Sequence, residues 1–248
     1  MVTAVTDGTL AEAPAVSYPL AKLLNLEGRR EAIVVQITEW IGLEIIEGRL
    51  KPNEVLNSVE LARRFQSSRT PVREALMVLE QEGLVAIRAR RRALVAAPTI
   101  KEIREIYEVR SHLGTLFGRL VVERATDDQL RHLRSQVDVL AQHAAANDVE
   151  SYFWGEVEVQ ELRSQAADNS VLKRIVDTLR LRSLMLRHRS IGLPGVIQSA
   201  ADHQEQLMRA YEARDGDLAA ALQGGSARFG LRVLETWLEQ NGDALSGK

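Results

Sequence analysis

The chain has 248 residues, 45% of them hydrophobic but only 4% aromatic, with a formal charge of −2 and no cysteine. That length suits one large or two modest domains. The lack of cysteine excludes disulfides, thiolate metal sites and cysteine nucleophiles, and no run approaches the ~20 apolar residues of a membrane-spanning helix.

Residues 1–28 hold small residues, threonine and two prolines with little periodicity, and predict a flexible arm, ordered at most near Leu20–Leu26. The arm has no basic segment followed by an apolar stretch. A signal peptide is therefore not expected, and the chain reads as a cytoplasmic protein without a membrane partner. From Arg30 to Glu47, apolar residues at 33, 34, 37, 41 and 45 predict a first helix.

The stretch Glu60 to Gly83 carries the most information. Glu60–Phe65 reads as a short helix and Gln66-Ser67-Ser68 as a break, and a second helix then opens with Pro71 in its first turn and Ser68 as its expected cap. At 100° per residue, Val72, Ala75, Leu76 and Leu79 share one stripe, with Arg69 and Arg73 projecting from its flank. A helix buried along one side, with arginines at its N-terminal turn, fits a major groove. Ser68, Arg69, Thr70 and Arg73 are the candidate contacts to DNA, with Arg63 an ordinary phosphate contact. Leu84–Arg88 and Ala93–Ala97 flank Ala89-Arg90-Arg91-Arg92 and predict a small β-hairpin wing with a basic tip, where Arg90, Arg91 and Arg92 would touch phosphate or the minor groove. Residues 29–98 carry +3, against −3 for 99–248, a small asymmetry in the direction DNA binding needs.

Residues 30–98 resemble the DNA-binding domain of the GntR family of bacterial transcription regulators. The resemblance lies in Ile46-Ile-Glu-Gly-Arg-Leu-Lys-Pro52, Leu61-Ala62, Ser68–Leu76 and Leu79–Val85. The chain departs from the family pattern at Glu54-Val55-Leu56, where a glycine often precedes the leucine, and at the wing tip, where three arginines replace the usual glycine.

Beyond the Ala97-Pro98-Thr99 junction, a capping box from Thr99 to Glu102 starts a run of helices expected over 100–123, 127–145, 148–167, 170–190, 196–213 and 215–240. The expected fold is mainly α, an N-terminal winged helix-turn-helix (29–98) followed by an all-α six-helix antiparallel bundle (99–240) and a flexible tail (241–248). The bundle is similar to the FCD effector-binding domain of the FadR branch of GntR regulators. That likeness rests on Ile106–Arg110, Ala125–Asp128, Ala167–Asn169, Asp202-His203 and Asp215–Asp217.

Arg110 sits mid-stripe on an apolar helix face, among Ile103, Ile106, Tyr107, Leu113 and Phe117. A buried guanidinium stays charged and needs a partner: either a carboxylate such as Glu156 or the carboxylate of a ligand. Gly114, one turn on, would leave room beside it. Glu156 and Gln160 place polar atoms on a second apolar seam. The FCD resemblance implies a divalent metal held by an Asp and His four residues apart and two later histidines. On that alignment Glu156 and Gln160 take the first pair, His203 the third position, and Arg228 falls near the fourth. Borderline metals want imidazole, so no cofactor is expected, with Zn or Ni on Glu156 and His203 the alternative. Arg182 joins the apolar stripe of Val171, Ile175, Leu179 and Leu186, read either as a snorkelling or interface residue or as part of the pocket. Arg110, Arg182, His203 and Arg228, with Glu156 and Gln160, then make a cationic pocket in which arginine replaces metal.

The resulting expectation is a homodimeric regulator, not an enzyme, that binds operator DNA and responds to a small carboxylate effector. The alternative is an effector-independent DNA-binding regulator whose pocket has collapsed around an Arg110–Glu156 pair.

Overall fold

The computed structural model describes residues 20–24, 26, 32–88 and 92–241. In the N-terminal part, α1 (Leu20–Leu23) is a single helical turn, followed by α2 (Ala32–Ile46), β1 (Val55–Leu56), α3 (Ser58–Arg64), α4 (Arg69–Gln81), β2 (Val85–Arg88) and β3 (Arg92–Val95). Leu20, Leu23, Leu24 and Leu26 are buried; Leu20 and Leu24 pack where α2 thins at Gly42. The arm expected over 1–28 is therefore anchored at Leu20–Leu26, and its residues 1–19, 25, 27 and 28 lie outside the described residues, as does the tail over 242–248.

The recognition unit is built as its apolar stripe dictates. Pro71, Val72, Ala75, Leu76, Val78 and Leu79 are buried on one side of α4, against α2 and α3. Gly83 follows at φ +78°, a left-handed turn that glycine adopts without strain. Ser68 holds the extended N-cap backbone, but its side chain makes no capping hydrogen bond, contrary to expectation. Ser67 instead donates its hydroxyl proton to the Ser68 carbonyl at 3.2 Å. The wing is a three-stranded antiparallel sheet in the order β1-β3-β2, not a bare hairpin. The extra strand is two residues long, too short to show the alternation by which strands are read.

The second part consists of α5 (Ile100–Arg124), α6 (Asp127–Ala145), α7 (Val149–Ala167), α8 (Ser170–Ile191), α9 (Val196–Glu212) and α10 (Gly216–Asn241), each within two residues of its expected limits. The expected Thr99–Glu102 capping box opens α5, and a second one, from Thr126 to Gln129, opens α6. The closest packing is between α5 and α10. A Cβ on Gly118 would lie 2.5 Å from the Ala219 carbonyl oxygen, and one on Gly114 would lie 2.8 Å from that of Gln223. The space at Gly114 is thus taken up largely by the α10 backbone.

Helix α8 joins the two parts. The Thr178 hydroxyl donates to Glu82 at 3.3 Å. Arg182 lies against Gly83 and Arg189 against Gly48, two glycines in the left-handed region. With no side chain, each lets a guanidinium stem approach the backbone.

Candidate functional site: an arginine-walled cavity and an arginine-fronted helix

Two arrangements stand out. The first is the solvent face of α4, where Arg69, Thr70, Arg73, Glu74 and Met77 are all exposed. Among the described residues neither Arg69 nor Arg73 has an ion-pair partner, so both guanidinium forks are free for phosphate or a guanine edge. Ser68 is exposed at the start of this face, and Arg63 is exposed on α3. Arg64 has a different task, its guanidinium stacked 4.1 Å from the Trp40 ring centre. On the wing, Arg88 and Arg92 sit directly opposite each other in the β2–β3 register. Like charges so placed repel, and an anion between them relieves the repulsion. Arg90 and Arg91 lie outside the described residues. Two features of this face were missed in the sequence: Arg88, visible only once the register is known, and Met77, 55% exposed and of a chemistry that meets a thymine methyl.

The second arrangement is a cavity of about 100 Å³ inside the helical bundle. Arg110, Arg163, Arg180 and Arg187 line it, with Glu156 as the one carboxylate, and Gln160, His203 and Gln204 complete its polar wall. Arg110 donates to the Ser183 hydroxyl at 3.0 Å and lies over the Tyr107 ring. Glu156 accepts from Arg187 at 3.0 Å and from the Gln204 amide, so the Arg110–Glu156 pair does not form. Burial would raise the Glu156 carboxyl, but Arg187, Arg180 and Arg163 overcome it and hold the group below the usual carboxylate range. Arg163 is 2% exposed and donates to Gln204. Its Nε, and Nη1 of Arg187, are buried without a hydrogen-bond partner. Burial pulls Arg180 down to about 10, with Asp177 opposing the shift and Arg110 adding to it.

Two residues expected in this pocket lie elsewhere. Arg182 does not line the cavity: it projects from the opposite side of α8, exposed, onto Gly83. Its presumed stripe is surface in its first half, with Val171 65% and Ile175 45% exposed, whereas Leu186 at the other end is buried. Arg228 lies behind the wall and donates to the Ser111 hydroxyl, which itself donates to the Gly224 carbonyl at 3.0 Å. The arginines that do line the wall, Arg163, Arg180 and Arg187, were overlooked. A signal was present: Arg180, Ser183, Leu184 and Arg187 recur at helical spacing on α8.

Comparison with known proteins adds the family. The model of the bacterial regulatory proteins of the gntR family matches residues 33–95, and that of the FCD domain matches residues 105–223. The chain belongs to the GntR family. It is 36% identical over 94 residues to an uncharacterised HTH-type transcriptional regulator, YdhC, of Bacillus subtilis, a match spanning 38% of this chain and only 42% of that protein. It is 25% identical over 212 residues to the gluconate operon transcriptional repressor of the same organism, covering 83% of this chain and 87% of the relative. In fold it is similar to the Escherichia coli protein McbR/YncC, with a TM-score of 0.69 and 20% identity, over 86% of this chain and all of that one. The families and named relatives are transcriptional regulators, not enzymes.

For a GntR-family regulator with an FCD domain, a divalent metal is the ligand to test against the cavity wall. The donors do not fit one. His203 Nε2 is within hydrogen-bonding distance of the Leu222 carbonyl (3.1 Å) and the Ser226 hydroxyl (2.7 Å), and both Glu156 oxygens are engaged. Burial first, and Arg163 second, also lower His203, while Leu222 and Glu156 oppose the shift. Among the described residues no three His, Asp or Glu side chains converge. Four guanidinium groups around the same space would repel a cation and attract an anion.

Proposed function

We propose that this GntR-family regulator binds operator DNA as a homodimer in the cytoplasm and responds to a small organic acid held in the FCD cavity. The observation that carries the effector half is the cavity wall, four arginines against one carboxylate with two buried guanidinium N–H groups left unbonded. Charge-assisted hydrogen bonds from such a wall suit a carboxylate. A relative that represses a gluconate operon is in keeping with control by an organic acid.

On this reading residues 29–98 read the operator, with Arg69, Thr70 and Arg73 entering the major groove and Arg63, Arg88 and Arg92 holding phosphates. Residues 99–240 hold the effector and join the protomers. Exposed Val109 and Leu116 on α5, and Val171 and Ile175 on α8, provide the apolar surface that a subunit contact would bury. Among the described residues no helix is long and apolar enough to cross a membrane.

Helix α8 supplies the coupling. Arg180, Ser183 and Arg187 face the cavity, while Thr178, Arg182 and Arg189 touch the DNA-binding part. A ligand that draws the inner arginines together moves the outer ones against Glu82, Gly83 and Gly48, and so favours one placement of α4 over another.

The test has two arms. A thermal-shift screen of small carboxylates and sugar acids, with and without Zn²⁺, is expected to give a hit that does not need the metal. At about 100 times its Kd a ligand adds about 2.7 kcal/mol, a shift of several degrees. Duplexes selected from a random pool by the free protein are then expected to lose or gain affinity when the hit is added. A hit that required Zn²⁺, or one that left duplex binding unchanged, would refute the reading.

A further inference from the structure

The charges around the cavity go beyond what a simple carboxylic acid needs. One of the four lining guanidinium groups is balanced by Glu156, which leaves three. Behind Arg180 lies a cluster of Lys173, Asp177 and Glu161, in which Lys173 bridges Asp177 at 2.6 Å and Glu161 at 2.7 Å. That cluster carries one net negative charge, and buried Asp177 is the carboxylate that acts most strongly on Arg180. Counting it in full, two positive charges around the cavity remain without a counter-charge in the protein. His203 is kept towards its neutral form by burial and Arg163 and adds nothing to the balance.

Hydrogen bonding points the same way. Arg163 and Arg187 each keep a buried N–H without a partner. They come from different helices, α7 and α8, and both side chains line the cavity. Arg110 reaches the wall from α5, with one bond to Ser183. Donors arriving from three sides are poorly matched to one flat carboxylate and better matched to acceptors that diverge. Size sets the other limit. The cavity's volume of about 100 Å³ is several times the ~10–15 Å³ that one water needs, so it suits a small polyatomic ligand rather than a single water.

Taking the cavity as the effector site, we infer that it selects a compact dianion, two negative charges on a small frame such as a phosphate group or a short dicarboxylate. Each charge takes one of the two uncompensated guanidinium groups, Arg110 and Arg163, and a small side-chain shift would bring the buried N–H groups of Arg163 Nε and Arg187 Nη1 to the ligand's diverging oxygens. Glu156 works against the ligand: it occupies Arg187 and Gln204 and repels an incoming anion. It serves as the wall's internal counter-charge when no ligand is bound.

Calorimetry on the full-length chain at fixed ionic strength tests this with four probes: inorganic phosphate, malonate, monomethyl malonate and acetate. Phosphate or malonate is expected to bind at least about tenfold tighter than the two monoanions. A preference for phosphate identifies a phosphoryl ligand and a preference for malonate a dicarboxylate, and either upholds the inference. Arg110→Met, which removes one of the two uncompensated guanidinium groups, is expected to weaken the dianion about tenfold or more and acetate much less. Because an arginine variant can fail to fold, Glu156→Gln provides the second reading. Removing the resident carboxylate is expected to tighten the preferred dianion severalfold, whereas a weaker complex would mean that the ligand depends on the carboxylate, and would overturn the inference. Monoanions that bind as tightly as the dianions overturn the dianion requirement and leave the organic-acid reading intact. If none of the four binds either the wild type or Glu156→Gln, both fail.

Discussion

Arg69 and Arg73 stand in solvent on the outer face of α4, while Arg163, Arg180 and Arg187 are enclosed in the bundle around a small cavity. The first pair keeps its hydration until DNA arrives and needs no support from the protein beyond a rigid helix. The second group is buried in the folded state, and the protein compensates with one carboxylate, one amide and an aromatic face. An exposed arginine can therefore be replaced with little effect on folding. A buried one is part of the fold, and under the proposed function a ligand would complete a charge balance that folding leaves open.

The sharpest way to break this contrast is to remove a buried partner. Arg187→Ala leaves Glu156 enclosed without its closest cation and is expected to destabilise the chain by about 3–5 kcal/mol in urea denaturation. The double change with Glu156→Gln should recover a large part of that loss, because no carboxylate is then left uncompensated. Equal instability of the single and double variants would mean that Arg187 acts by packing alone.

On the exposed side the effects fall on DNA. Arg69→Ala and Arg73→Ala are each expected to weaken operator binding by about 1–3 kcal/mol if they make bidentate base contacts, while the urea midpoint stays within about 0.5 kcal/mol of wild type. Mobility shifts at several salt concentrations separate base from phosphate contacts, since loss of a phosphate contact also reduces the salt slope. A large fall in stability with either variant would erase the contrast.

These two regions also differ in how far they could be read from the chain. The recognition helix was legible because its signals are local: a break, a proline in the first turn, an apolar stripe and arginines beside it. The helical bundle was legible in its element limits for the same reason, beginning with the capping box at Thr99. The cavity was legible only in part. Arg110, Glu156 and Gln160 do line it, each being a polar group on an otherwise apolar face, and so does His203, which the FCD resemblance pointed to. On α8 that rule misled. Val171 and Ile175 look like core but are exposed, so the stripe through Arg182 was taken for the inner face, while Arg180 and Arg187 occupy the true one. Which side of a helix faces inward depends on neighbours distant in sequence, and the wing's third strand was hidden for the same reason, since β1 pairs with β3 across nearly forty residues.

A milder perturbation is acid. Glu156 has its carboxyl lowered by the surrounding arginines against the effect of burial. A carboxylate with a depressed folded-state pKa contributes stability that is fully present above its unfolded value, about 4.3, and lost as pH falls through the folded one. The stability gap between wild type and Glu156→Gln is therefore expected to be constant near neutrality and to shrink below about pH 4.3. A gap that held steady from neutrality down to pH 3 would mean that folding leaves the carboxyl unshifted and that the arginines do not hold it down.

The smallest expected effect tests the link between the regions. Arg182 belongs to neither set: it leaves α8 on the side away from the cavity, and its stem lies where a Cβ on Gly83 would be 2.7 Å from Nε. Exposed and outside the cavity, it should contribute little to folding or to ligand affinity. If α8 carries the movement between the regions, Arg182→Ala should leave the ligand-induced thermal shift intact and ligand-free operator affinity within about twofold. It should reduce the ligand's effect on operator affinity by about 0.5–2 kcal/mol, the range found for residues that transmit coupling without touching either ligand. The measurement is a pair of operator titrations, with and without saturating ligand, for wild type and variant. Because coupling is reciprocal, operator DNA must lose the same amount of influence on ligand affinity, so a second titration in the opposite order checks the first. Unchanged coupling in both directions would take Arg182 out of the route and leave the α8 contacts of Thr178 and Arg189, or the chain junction at Pro98-Thr99, to link cavity and recognition helix.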